Sequence, residues 1–117
     1  MKVKRSLAEE RMVIYRERNR NIRAMGFENY GEYLRSQPWL TIRATKLRIA
    51  PVCEACDKYM ATEVHHMKYR KKDLEGNDLR WLVSICRTCH YSIEYENGIK
   101  LTPKMANAKL KRLQRNK

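Results

Sequence analysis

The sequence predicts a small domain of the α+β class. Stretches with helical spacing and capping residues occupy both ends of the chain, and two short apolar runs in the middle have the length of strands. Two Cys-x-x-Cys pairs indicate one zinc site within the same fold. Because 117 residues suit one domain, all these elements are expected to share a core.

Helices are predicted where apolar residues recur with helical spacing between boundary residues. The first lies between Ser6, a suitable N-cap, and Gly26, which ends it. Thr102-Pro103 supplies the N-cap and the first helical residue of the last helix. The predicted helical ranges are 7–25, 29–35, 39–49, 87–95 and 103 onward.

Two short apolar runs flank a polar stretch in the middle of the chain. Residues 60–64 predict a strand. Residues 79–85 are consistent with a second strand or with the beginning of a helix, since periodicity cannot separate the two at this length. Gly76-Asn77 indicates a turn within the polar stretch, residues 65–78.

The positive charge is concentrated at the two ends of the chain. The formal net charge is +13, from 26 Lys+Arg and 13 Asp+Glu. Residues 1–24 hold eight basic and three acidic side chains, and residues 100–117 hold seven basic and no acidic ones. Either stretch alone is as consistent with a solvated helix face as with a phosphate-binding surface. Two of them flanking one candidate site favour contact with phosphate groups.

Neither membrane insertion nor secretion is expected. No run approaches the roughly 18 consecutive apolar residues of a membrane span. The longest apolar run, residues 81–86, is interrupted by Ser84. The charged residues 1–10 are not followed by the apolar segment of a signal peptide. We therefore expect a cytoplasmic protein.

The cysteines predict a structural zinc site. They form two pairs, Cys53/Cys56 and Cys86/Cys89, with 29 residues between the pairs. Each pair can direct two thiolates at one ion from a tight turn. In an intracellular protein, zinc explains two such pairs better than disulfides do.

Three histidines and a glutamate remain for a second metal. His65 and His66 lie between the cysteine pairs, and His90 follows the second pair. Glu94 is four residues after His90, so both side chains share one helical face. A third ligand would come from the His65-His66 pair. The alternative is a single zinc with mixed Cys and His ligands, the other histidines being idle on the surface.

These residues together resemble the HNH endonuclease family, in its small, phage-encoded, zinc-containing form. The resemblance covers residues 30–97. It implies a ββα-metal core, in which two short antiparallel strands and a helix hold one catalytic metal beside the four-cysteine zinc. The motifs that carry it are Glu63-Val64-His65-His66, Tyr69, residues 82–90 and Ile93-Glu94, preceded by residues 33–36, Trp39 and residues 53–56.

The resemblance implies a role for each matched residue. His66 would be the general base, and His90 would be both a catalytic residue and a metal ligand. His65 and Glu94 would complete the ligands of a catalytic Mn²⁺, Mg²⁺, Ni²⁺ or Zn²⁺. The middle residue of the motif, usually Asn or Asp, falls on Trp81. Its role would pass to Asn77, our choice for the catalytic residue, or to Asp78.

We therefore predict a metal-dependent endonuclease that hydrolyses phosphodiester bonds of double-stranded DNA and leaves 5′-phosphate and 3′-hydroxyl ends. The predicted segments are a basic helical N-terminal arm (1–29), an HNH nuclease core (30–99) and a basic C-terminal helix (100–117). The resemblance also implies phage packaging proteins as partners, with action inside the host cell. The side chains expected to contact DNA are Lys68, Arg70, Lys71, Lys72, Lys109 and Arg112.

Two other classes of function remain open at this point. The first is a zinc-ribbon DNA-binding module that has lost catalysis, which Trp81 at the usual Asn position would favour. The second is a protein-binding zinc module, against which the net charge of +13 argues. The loop containing Lys68 is as consistent with a solvated surface as with phosphate contact.

Overall fold

Residues 5–117 are described by a computed structural model as six helices and four short strands. Lys2 and Lys4 of the N-terminal basic arm lie outside the described residues. The helices are α1 (Leu7–Ala24), α2 (Tyr30–Leu34), α3 (Gln37–Ile49), α4 (Lys71–Leu74), α5 (Arg87–Glu94) and α6 (Pro103–Arg115). The strands are β1 (Glu63–His66), β2 (Leu82–Ile85), β3 (Tyr95–Glu96) and β4 (Ile99–Lys100). The predicted α+β class is confirmed.

Local hydrogen bonds determine where the main helices begin and end. Ser6, Ser36 and Thr102 each accept a hydrogen bond from the backbone N–H three residues further on, as N-cap residues do. Gly26 has φ of 98°, and it follows α1 directly after the C-cap residue Met25. Ser6, Gly26 and Thr102 therefore predicted their boundaries correctly, whereas α3 begins at Gln37, two residues before the predicted start at 39.

The strands β1 and β2 form an antiparallel pair whose two faces have different neighbours. Glu63 lies opposite Ile85, and His66 lies opposite Leu82. Because side chains alternate along a strand, Glu63 and His65 share one face while Val64 and His66 share the other. The first face is directed at α5, and the second is directed at the helices that precede β1.

The core is divided by this sheet into two apolar clusters. The cluster on the α5 side comprises Cys53, Ala55, Val83, Ile85, Cys86, Ile93, Ala106 and Leu110. The cluster on the other side comprises Ile22, Tyr33, Trp39, Val64, Leu74 and Leu82. Both basic ends of the chain contribute side chains to the core, since Ile22 of α1 and Leu110 of α6 are fully buried. The terminal helices therefore pack as parts of the core.

Three local features differ from the sequence-based expectation. The strand expected over 60–64 begins at Glu63 and continues to His66, because Met60 forms only an isolated bridge with Val52. The helix expected over 87–95 is followed by a β3–β4 hairpin that was not predicted, in which Asn97 and Gly98 both have positive φ and form the turn. The short helix α4 was not predicted.

One further property of the helices concerns membranes. Between residues 5 and 117, no helix combines the length and the apolar composition needed to cross a bilayer. The longest helix, α1, has 18 residues, but charged side chains occur along it.

Replacing Gly76 by alanine is expected to destabilise the protein more than replacing Gly98. Both glycines have φ of 77°, a conformation that costs an L residue about 1–2 kcal/mol. A Cβ at Gly76 would also lie 2.7 Å from Cγ1 of Ile42, whereas a Cβ at Gly98 meets nothing within 4 Å. Overpacking of this kind typically costs about 1–3 kcal/mol more. Urea unfolding of Gly76→Ala and Gly98→Ala measures the difference, and equal losses would contradict the close approach of Ile42.

Candidate metal centres

The four cysteines lie in one cluster, as the spacing predicted. The sulfur atoms of Cys53, Cys56, Cys86 and Cys89 all lie within 4.8 Å of one another. All four are free thiols. Cys53 and Cys86 are buried, and the other two are partly buried. An ion at the centre of such a group can be reached by every sulfur at the usual Zn–S distance of about 2.3 Å.

Backbone geometry brings the two cysteine pairs together. Asp57 adopts a left-handed conformation (φ 58°) and donates its N–H to the carbonyl of Cys53, which turns the chain tightly at the first pair. Cys86 is the N-cap residue of α5, and its sulfur accepts from the N–H of Cys89 at 3.5 Å. The second pair is therefore held on the first turn of a helix, where the helix dipole favours negative charge.

The thiols of the cluster differ in acidity. Burial opposes ionisation of Cys56, but hydrogen bonds from the N–H groups of Lys58 and Tyr59 lower the pKa of this thiol to about 7. Burial raises the pKa of Cys53 and Cys89, and in Cys89 the neighbouring cysteines add to the effect. A divalent cation would remove this repulsion, because it deprotonates the thiols that coordinate it. The donor set therefore fits a structural metal such as zinc.

A second group of donors lies on the same face of the sheet. One atom from each of His65, His90 and Glu94 is within 4.8 Å of the others. Nε2 of His90 is 3.2 Å from Oε1 of Glu94, and Nδ1 of His65 is 3.9 Å from the same oxygen. The i, i+4 spacing on α5 thus combines with β1 in the way the sequence suggested.

Each histidine of this group is oriented by a second side chain. Nδ1 of His90 lies 2.7 Å from Oε1 of Glu63, which leaves Nε2 directed at Glu94. Nε2 of His65 lies 3.0 Å from Oδ1 of Asn107 on α6, which leaves Nδ1 on the side of Glu94. Such outer partners fix the ring orientation of metal-binding histidines.

The ionisation of these groups reflects their pairing. Burial opposes the charged form of His90, but hydrogen bonds to Glu94 and Glu63 outweigh it and raise its pKa. The hydrogen bond with His90 lowers the pKa of Glu94. Burial lowers the pKa of His65, an effect that the contact with Asn107 partly offsets. Two carboxylates thus stabilise a positive charge at this site.

His66 occupies a different environment from its neighbour. Its ring lies 4.6 Å from that of Trp39 and 5.6 Å from that of Tyr69, measured between centroids. Nδ1 is 2.9 Å from the hydroxyl of Tyr30. Nε2 is buried and has no hydrogen-bond partner in the described part of the protein. A polar atom of this kind is normally satisfied by an ordered water molecule or a ligand.

Burial controls the ionisation of His66. Loss of hydration, together with repulsion from His65, Arg18 and His90, lowers the pKa of His66 to about 3. The imidazole is therefore neutral at physiological pH. A neutral imidazole keeps a lone pair, which proton abstraction requires.

A cavity of about 330 Å³ joins His66 to the metal-donor group. Three basic side chains also line it, those of Arg18, Arg43 and Lys100. The guanidinium of Arg18 lies 4.3 Å from the ring centroid of Tyr15 and 4.1 Å from that of Tyr30. No carboxylate among residues 5–117 forms an ion pair with Arg18. The cavity thus combines imidazoles, the two carboxylates of Glu63 and Glu94, and an Arg with free donor capacity.

Asn77 lies away from this cavity. Its side chain is exposed in the turn after α4, and it does not contribute to the described cavity lining. The contacts that hold this loop involve Asp78, which accepts hydrogen bonds from both Arg70 and Arg80. Trp81 contributes its carbonyl oxygen to the N–H of Met67, and the ammonium of Lys68 lies 3.9 Å from its ring centroid. The catalytic role of Asn77 remains a prediction.

The side chains expected to contact DNA fall into two groups. Lys71, Lys72 and Arg112 are exposed, as is Lys68. Arg70 instead forms ion pairs with Asp73 and Asp78. Lys109 donates to the carbonyl oxygens of Ser92 and Tyr95, so it caps the end of α5. For Arg70 and Lys109 the described contacts are therefore internal to the protein.

Several residues of the site were not found by sequence reasoning. Glu63 and Asn107 were given no role, and neither were the aromatic rings around His66. Arg18 was counted only as one of the basic side chains of residues 1–24. Arg18 and Asn107 lie outside the segment that carries the family resemblance, on the first and last helices. Glu63 precedes His65 by two residues, so strand alternation could have identified it as facing the same partner.

Comparison with known proteins adds no identification. No family model, no curated protein and no solved structure matches this chain. A function for this protein must therefore be argued from the chemistry of the two metal centres and the cavity.

Removing zinc is expected to unfold the protein. Because the cysteine cluster is part of one of its two apolar clusters, the free energy of metal binding becomes free energy of folding. Purified protein should contain one tightly held zinc per chain, and both a strong chelator and Cys53→Ser should abolish the cooperative thermal transition. Thr88→Ala, an exposed residue inside the second pair, is the matched control. Native protein that contains no zinc, and whose melting temperature is unchanged by Cys53→Ser, would disprove the structural role.

Proposed function

We propose that this protein is a metal-dependent DNA endonuclease with an HNH-type ββα site. The observation that carries the proposal is the convergence of His65, His90 and Glu94 within 4.8 Å of one another, at one end of a cavity that also contains His66. This arrangement supports phosphodiester hydrolysis because it pairs a metal-donor set with a separate neutral imidazole. The family resemblance in the sequence supports the same reaction.

The donor set fits a divalent ion. Two imidazoles and one carboxylate leave positions for substrate and water, as catalytic sites require. When bound, such an ion supplies Lewis-acid stabilisation of charge on the phosphate and on the leaving oxygen. Glu63 and Asn107 hold the two imidazoles in place. Mn²⁺ and Mg²⁺ are the first ions to test, because the set includes a carboxylate.

His66 is the proton acceptor in this proposal. Attack on phosphorus needs a water molecule that loses a proton as the new P–O bond forms. His66 is neutral at physiological pH, and its ring is held by the hydroxyl of Tyr30 and by the ring of Trp39. In the tautomer whose Nδ1–H donates to the hydroxyl oxygen of Tyr30, the unpartnered Nε2 holds the lone pair for that water. Enclosure by aromatic rings limits the orientations of the ring, which favours a fixed acceptor position.

Arg18 provides the phosphate contact in the cavity. Its side chain is partly buried beside Tyr15 and Tyr30, so its position is fixed before substrate binds. A guanidinium matches two phosphate oxygens at once, and it keeps its charge at any working pH. The net charge of +13 supports nucleic acid as the substrate.

A DNA-binding module without nuclease activity is the second candidate. The enclosure of His66 favours it, since only 4% of this residue is exposed and a catalytic base must reach water. Trp81 at the motif's middle position favours it as well, because an indole cannot accept a hydrogen bond. Cleavage of a supercoiled plasmid with added Mn²⁺ or Mg²⁺ separates the two candidates directly.

Replacing His65 and replacing His66 are expected to impair different properties of the protein, namely metal binding and cleavage. His66→Ala should bind Mn²⁺ and duplex DNA normally but cleave about 10²–10⁴-fold more slowly, because only the proton acceptor is lost. His65→Ala should weaken Mn²⁺ binding, and excess Mn²⁺ should partly restore cleavage. Plasmid nicking, DNA binding and Mn²⁺ titration are measured for each variant.

The control for this pair is Ser92→Ala, which changes an exposed side chain on α5 between His90 and Glu94. Cleavage by His66→Ala at the wild-type rate would remove the general-base role. A wild-type protein that binds duplex DNA but is inert with both metals would establish the second candidate.

Arg18→Gln is expected to weaken DNA binding more than Arg20→Gln does. Both variants remove one charge from α1, but Arg20 is exposed whereas Arg18 lines the cavity. A hydrogen bond to a charged group is worth about 1.5–3 kcal/mol, so Arg18→Gln should lower affinity by about 10–100-fold. Fluorescence anisotropy at two salt concentrations measures both variants against a short duplex. Equal, small losses of affinity in the two variants would show that Arg18 contributes only its charge and makes no specific phosphate contact.

A further inference from the structure

We propose that Asn107 is a positioning residue that sets the tautomer of His65 and so selects Nδ1 as its metal-binding nitrogen. This inference rests on the proposed catalytic metal site. Asn107 is on α6, outside the ββα elements and outside the part of the sequence that resembles the nuclease family. Its side chain makes two hydrogen bonds, one to the ring of His65 at 3.0 Å and one to the backbone carbonyl of Met67 at 2.9 Å.

The orientation of the Asn107 amide follows from the second of these bonds. The carbonyl of Met67 can only accept a hydrogen bond. The amide nitrogen of Asn107, which can only donate, must therefore face Met67. The amide oxygen then faces His65 and can only accept.

The tautomer of His65 follows from the position of that oxygen. Nε2 of His65 must carry the proton in order to donate to Oδ1 of Asn107. In the neutral ring, Nδ1 then holds the lone pair, on the side of Glu94, 3.9 Å from its Oε1. His65 is only 5% exposed, so bulk water does not compete for either nitrogen.

His90 is arranged in the opposite sense. Its Nδ1 faces the carboxylate of Glu63 and therefore carries a proton. Nε2, which contacts Glu94, is then the nitrogen that would bind a metal after giving up the proton it shares with that carboxylate. The site thus needs two different tautomers in two neighbouring histidines. Glu63 of β1 sets the tautomer of His90, and Asn107 of α6 sets that of His65.

The first test reads the tautomer in protein that contains zinc but no second metal. Two-bond ¹H–¹⁵N spectra distinguish a protonated Nε2 from a protonated Nδ1. Wild-type His65 should show protonated Nε2, and Asn107→Leu should show a mixture of tautomers. Protonated Nδ1 in the wild type overturns the inference, whatever the activity of the protein.

The second test measures the affinity of the zinc-loaded protein for Mn²⁺. Loss of an outer-shell partner typically weakens metal binding about 10–100-fold, and this loss is expected for Asn107→Leu. Asn107→Asp should stay within a few-fold of wild type, because it keeps an oxygen acceptor for Nε2 while losing the donor to Met67. Comparing the two variants distinguishes the hydrogen bond that orients His65 from the one that attaches α6 to Met67. If Asn107→Leu fails to fold, the Mn²⁺ affinity of Asn107→Asp is compared with that of wild type.

Asn21→Leu is the matched control. Asn21 donates to the carbonyl of Tyr69 at 2.9 Å, so it pins α1 to the same loop without touching a histidine. Mn²⁺ affinity should be unchanged in this variant. Equal affinity of wild type and Asn107→Leu overturns the role of Asn107 while leaving the proposed nuclease intact. Equal weak binding by wild type and His65→Ala overturns the metal site, and this inference with it.

Discussion

The junction between β2 and α5 is the constraint on which the site depends. At Cys86 the chain leaves the sheet, caps the helix with its sulfur, and contributes that sulfur to the four-cysteine cluster. The carbonyl of the same residue accepts from the N–H of His90, one turn further on. The direction of α5 is therefore determined by the cluster, and the positions of His90 and Glu94 follow from it. Whatever loosens the cysteine cluster also moves the histidine and the carboxylate.

The first cysteine pair is held from three sides, which makes the cluster an organising element for the whole molecule. The carboxylate of Glu54 accepts from the backbone N–H of Ser84 and pairs with the ammonium of Lys46, a residue of α3 with 8% exposure. The carbonyl of Glu54 accepts from Gln114 of α6. One residue between two cysteines thus links the sheet, an early helix and the last helix. A buried Lys needs such a partner, because an unpaired charge in this position would be strongly destabilising.

Local chemistry made much of this protein predictable from its sequence. Helix caps, the cysteine pairs and the i, i+4 relation of His90 and Glu94 each depend on a few neighbouring residues, and the structure agrees with all of them. Strand β1 begins three residues later and ends two residues later than predicted, since a four-residue strand has too little periodicity to fix its boundaries. The contact of Asn107 with His65 and that of Tyr30 with His66 span 42 and 36 residues. No pattern in one sequence reveals such pairs, because they depend on how whole helices pack.

The two-stranded sheet divides the chemistry of the protein as well as its core. His65 and His66 are neighbours in the chain, yet one belongs to the packing unit of α5 and α6 and the other to the aromatic unit of α2 and α3. Each imidazole is therefore held by its own set of contacts, a polar set around His65 and an aromatic set around His66. A strand of four residues thus gives two chemically identical side chains surroundings that differ in polarity and in the partners available to them.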